Sequence, residues 1–115
     1  MTPMNAATRI KPNILSVQQL KFQVIAHVKA YGGDFTRWYV GVADDPERAL
    51  FEKHGVDRER GVWVFRQAMS FRAVENAQTF FIRALGMQGE PYPADHPTDE
   101  VDCLYAYLKD TGGMP

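Results

Sequence analysis

Three short segments rich in aromatic and β-branched residues, each long enough for only one strand, are strung between stretches that carry helix start and stop signals. The strand segments are 37–43, 61–68 and 104–108. The first helix opens at Ser16, where Ser16 and Gln19 have the spacing of a capping box. Val17, Leu20, Val24, Val28 and Tyr31 follow at intervals of three and four and are expected to line one face; Gly32-Gly33 stops the helix. A second, short helix starts at Asp44-Asp45-Pro46-Glu47-Arg48. There an Asp caps, Pro46 takes the first helical position, Glu47 suits the positive end of the helix dipole, and Gly55 ends it. Ser70 is expected to cap a third helix running to Leu85, with Val74, Ala77, Phe81 and Leu85 as its buried stripe and Gly86 as its stop. The order α-β-α-β-α-β predicts an α/β (α+β) fold, a small three-stranded sheet flanked by helices.

At 115 residues the chain is the size of one domain. The reading is a flexible N-terminal arm over 1–15, a single domain over 16–110 and a frayed end over 111–115, with a Pro-, Gly- and acid-rich loop over 87–100. Hydrophobic residues make up 45% and aromatics 12%, which excludes disorder as the main state. No apolar run approaches the ~20 residues of a membrane span, so no membrane partner is expected. Cys103 is the only cysteine, so neither an intramolecular disulfide nor a cysteine-based metal site forms. The first eight residues lack the apolar core of a signal peptide, and the chain is expected to be cytoplasmic. Net charge is −1, which argues against a strongly electrostatic nucleic-acid binder. Residues 1–86 nevertheless hold 12 Lys and Arg against 8 Asp and Glu, while residues 87–115 hold 1 against 6. A mildly basic body with an acidic tail is compatible with phosphate on one face; a solvated surface with a chance asymmetry is the plainer alternative.

The stretch with most chemical content is Trp38-Tyr39-Val40-Gly41-Val42-Ala43-Asp44-Asp45-Pro46-Glu47-Arg48, with His54 six residues on. A strand ending in Tyr-Val-Gly, a tight acidic turn and a helix presenting an Arg resemble the second half of the GIY-YIG nuclease motif. The resemblance covers roughly residues 37–86. It implies that Tyr39, Arg48 and His54 are catalytic, that Gly41 and Arg37 lie against the substrate, and that Mg²⁺ or another divalent cation assists cleavage of a nucleic acid. The chemistry is coherent: an Arg fork suits a phosphate, a phenol can orient water, and glycine allows close approach.

Two departures stand out. No "GIY" strand precedes the match. The strand around Tyr105 is expected to fill the vacant place by pairing with 37–43, as in a circular permutation, with Tyr105 standing in for the first-motif tyrosine. By spacing, the family's metal-binding Glu falls at Gln78, whose neutral amide suits Mg²⁺ poorly. Glu75, one turn earlier, is the substitute if the register differs. The expected function is therefore a degenerate or weakly active GIY-YIG-like domain that binds nucleic acid. The alternatives are an active metal-dependent DNA endonuclease and a small protein-interaction module with Tyr92 or Tyr107 exposed. Each residue also has a plain structural reading: Arg48 paired with Glu52 or Asp44, His54 complementing a helix end, Glu75 solvated, and His96 with Asp95, Asp99 and Glu100 in an open loop. No phosphate-binding loop, dinucleotide fingerprint, serine elbow or zinc spacing is present.

Overall fold

The computed structural model describes residues 14–109. Residues 1–13 of the arm expected over 1–15, and all of the end expected to fray over 111–115, lie outside the described residues. The elements in chain order are β1 (Ile14–Leu15), α1 (Val17–Ala30), β2 (Trp38–Ala43), a π-helical turn (Arg48–Lys53), β3 (Trp63–Ala68), α2 (Phe71–Arg83) and β4 (Cys103–Leu108), with a single 3₁₀ turn (Phe35–Arg37) before β2. The result is a small α+β domain.

Among the described residues the sheet has four strands in the order β1-β3-β4-β2, not the three expected. The additional strand comes from the stretch read as a loose arm: Ile14 and Leu15 pair in parallel with Gln67 and Ala68. Two residues are too few to show an alternating pattern, so only tertiary pairing reveals them. β4 is the hub. It runs antiparallel to β2, with Gly41 opposite Tyr105, and antiparallel to β3, with Phe65 opposite Tyr105.

Alternation along the strands separates two cores. Trp38, Val40, Val64, Leu104 and Ala106 face α1 and α2 and pack with Leu20, Val24, Val28, Val74, Ala77 and Phe81. Tyr39, Tyr105 and Tyr107 face the other way, onto Ala49, Leu50 and Val56 around the π-helical turn. The Ser16–Gln19 capping box forms as the sequence implies, each side chain bonding the other residue's main-chain N–H. The expected stripe on α1 is shorter than read: Tyr31, at the C-cap, is 51% exposed, because the chain turns away there into Gly32-Gly33. No helix among the described residues is long and apolar enough to cross a membrane.

His27, on α1, meets Trp38 edge-on at 5.9 Å, and its Nε2 is buried without a hydrogen-bond partner. Burial, and secondarily Arg66, holds its pKa below the ordinary 6.5, while a hydrogen bond to the Trp63 main chain works the other way. The unfolded chain therefore binds the proton more readily, and stability falls as pH drops through about 6.5. Thermal unfolding between pH 7.5 and pH 5 checks this: the midpoint of the natural protein falls with pH, and the slope is shallower in His27→Gln.

Candidate functional site

The π-helical turn makes the site. Asp45 caps it, its Oδ1 accepting from the Arg48 N–H at 3.1 Å, and Pro46 follows as the sequence implies. The hydrogen bonding then slips into the wider register, His54 N–H donating to the Ala49 carbonyl at 3.0 Å. The wider turn delivers His54 onto the aromatic face of the sheet, where it is 5% exposed. Its Nε2 lies 2.9 Å from the Tyr105 hydroxyl and its Nδ1 lies 3.1 Å from the Tyr107 hydroxyl. A neutral imidazole has one donor and one acceptor nitrogen, so the two phenols play opposite roles toward it.

Tyr39 completes the cluster, its ring centroid 4.8 Å from His54 and 5.4 Å from Tyr107. All three phenols titrate above the usual tyrosine value, chiefly because burial disfavours the phenolate. The Glu90 carboxylate adds to the rise at Tyr39, and the neighbouring tyrosines add to it at Tyr105. At neutral pH the phenols are hydrogen-bond donors and acceptors, not bases in their own right. Tyr39 and His54 open onto a cavity of about 550 Å³ shared with Lys53, Gln88, Gly89 and Glu90.

Gly41 serves the cluster from beneath. A Cβ there would overlap the ring and hydroxyl of Tyr105, its partner across the ladder, so the glycine is what lets that ring lie flat on β2. The close approach expected of this glycine is thus made by a tyrosine of the chain itself.

Gln78 is almost fully buried on α2, and its amide nitrogen donates to two carbonyls, Val40 at 3.2 Å and Glu90 at 2.9 Å. It clips the segment after α2 to the outer edge of β2, where Gln88 also bonds Trp38 and Val40 through the main chain. Glu75 is exposed; it and Gln78 border a cavity of about 300 Å³ that also has Thr79, Arg83 and Tyr92 in its wall. A divalent cation would meet one exposed carboxylate there, the Gln78 amide nitrogen being aimed at carbonyl oxygens, so this pair does not fit a metal site. Among the described residues no group of three or more His, Cys, Asp or Glu side chains could hold a metal ion.

Of the residues singled out in the sequence, Tyr39, Gly41, His54 and Tyr105 come together. Arg48 does not border the cavity beside Tyr39; its side chain is 67% exposed and lies 3.6 Å from Asp45, the neighbour one residue beyond the Asp44 considered from sequence. Arg37 is exposed at the end of the 3₁₀ turn. Tyr107, offered as exposed under the protein-interaction alternative, is instead wholly buried. The missed signal is simple alternation: residues 103, 105 and 107 share one face of β4, so Tyr107 must follow Tyr105. Tyr92 is half-buried, its hydroxyl donating to the Pro97 carbonyl. Asp95 and His96 pair with each other in the open loop. Cys103 is buried beside Asp102 and pushed up to about 12, which keeps the thiol inert.

Two substitutions check this account. Gly41→Ala drives the Tyr105 ring off its seat and off His54, and is expected to destabilise the fold by about 3 kcal/mol, read by urea denaturation. Gln78→Glu turns a double donor into a carboxylate facing two carbonyl oxygens, and is expected to cost about 3 kcal/mol or more near neutral pH, with part of the loss recovered in acid. Protein-family models, curated proteins and solved structures give no match to this chain, so the functional reading rests on the residues themselves.

Proposed function

We propose that the chain is a GIY-YIG-like domain in which β4 takes the place of the absent first strand, and that it binds nucleic-acid phosphate with phosphodiester cleavage reduced or lost. The observation that carries this reading is the convergence of Tyr39, Tyr105 and His54 on one face, made possible because β4 lies antiparallel beside β2. That is the pairing the permuted arrangement requires. The Tyr39 hydroxyl and the Lys53 ammonium at the cavity suit a phosphate oxygen as donors, whereas Glu90 opposite offsets the lysine charge. Binding is therefore weak and strongly dependent on salt.

Three features speak for reduced cleavage. Gln78 spends its amide as a structural clip, Arg48 does not border the cavity beside Tyr39, and the buried phenols hold their protons. A tyrosine acting on water here needs His54 to take its proton, and His54 is already engaged at both nitrogens.

The test combines binding and cleavage on the same protein. Fluorescence anisotropy with short single-stranded, duplex and branched DNA is expected to show weak binding at low salt that declines with added salt. Lys53→Ala is expected to lower it several-fold, with no nicking in Mg²⁺ or Mn²⁺. Metal-dependent nicking by the natural protein that disappears in Arg48→Ala would establish the active endonuclease instead. No binding to any of these DNAs at low salt would leave the protein-interaction reading.

A further inference from the structure

β1 covers only the last two residues of β3, and the remaining edge of that strand has no strand beside it among the described residues. The Leu108 N–H donates to the Val62 carbonyl and the Ala68 N–H to the Asp102 carbonyl, each at 2.9 Å. Even-numbered positions along β3 therefore turn their main-chain groups toward β4, and Trp63 and Phe65 turn theirs outward. A side-chain bond from Arg66 reaches the Phe65 carbonyl at 2.7 Å, and the His27 ring lies near the Trp63 main chain. A carbonyl oxygen keeps a second lone pair for another donor. Sheet edges of this kind are normally covered or defended by charge, because they pair readily with any extended chain.

A cavity of about 890 Å³ runs along this edge. Its floor includes Leu15, Trp63 and Phe65, and its wall carries the carboxylates of Asp44, Asp45 and Glu47 against the single guanidinium of Arg66. Asp45 and Glu47 have cationic neighbours, Arg48 and Arg58, at 3.6 Å in both cases, but both pairs are solvent-exposed and exchange partners at little cost.

We propose that this groove takes an extended, basic peptide segment of a partner protein, added as a strand along Trp63–Arg66 in line with β1. Main-chain bonds to Trp63 and Phe65 supply the affinity, and the three carboxylates select lysine and arginine side chains on the incoming strand. The site lies on the opposite edge of the sheet from the β2 edge held by Gln88, and it is independent of the phosphate-binding reading.

The experiment is a nuclear magnetic resonance titration of the full-length ¹⁵N-labelled chain with a short peptide alternating Lys and Val. Saturable shifts centred on Leu15 and residues 63–67 are expected. Exchanging Lys for Glu in the peptide is expected to weaken binding about tenfold, and N-methylation of alternate peptide amides to abolish it. Asp44→Lys combined with Glu47→Lys, which leaves the Asp45 cap in place, is expected to reverse the charge preference. The proposal is overturned by an absence of shifts at millimolar peptide, or by binding indifferent to N-methylation. It is overturned equally if the Trp63 and Phe65 amides of the free chain exchange as slowly as those inside the ladder. In that case the edge is already occupied, by residues 1–13 or by a second copy.

Discussion

An imidazole buried with both nitrogens facing phenolic oxygens sets the terms for this domain. A histidine taken out of water needs a partner at each ring nitrogen, and an unmet one costs about 1–3 kcal/mol. His54 obtains both from a single strand, because Tyr105 and Tyr107 stand two residues apart on the same face of β4. The requirement reaches outward. It demands a glycine opposite Tyr105, a widened helical turn to bring His54 inward, and β4 at the centre of the sheet so that both phenols are enclosed.

That network also separates structure from chemistry at the site. The aromatic and imidazole groups on which the proposed phosphate-binding reading rests are held by one another, while Arg48, the charged group that reading would draw on, faces solvent and Asp45. The position at which the proposed GIY-YIG reading would put a metal-binding carboxylate is occupied by a side chain that donates to two carbonyls. Gln78 holds the segment after α2 onto β2, and this holding role depends on an N–H₂ that no glutamate possesses.

Much of the framework was legible from the chain alone. Ser16 with Gln19, Asp45 with Pro46, and Gly86 after α2 are local signals, and local chemistry decides them. The pairing of the C-terminal strand with 37–43 was also anticipated, from the strand place that the GIY-YIG resemblance leaves vacant and not from a pattern within the strand itself. What escaped was set at a distance. Ile14 and Leu15 become a strand only because β3 has a place for them, and the slip into π register depends on where His54 is wanted. The donor role of Gln78 follows from a carbonyl 38 residues away, whereas the burial of Tyr107 was within reach of the alternation along its own strand.

The central strand is also the last element in the described chain, and that order has a consequence for synthesis. A polypeptide emerging from its N-terminus presents β2 and β3 long before the strand that joins them, and the two do not neighbour each other in the sheet. Until residues 103–108 are made, Trp38, Tyr39 and Trp63 have no β4 face to close against. Before β4 emerges, the growing chain carries these aromatic residues uncovered on that side, a state in which chaperones and aggregation compete. Completion of the ladder therefore waits until residues 103–108 have emerged, and β2 and β3 are joined only then.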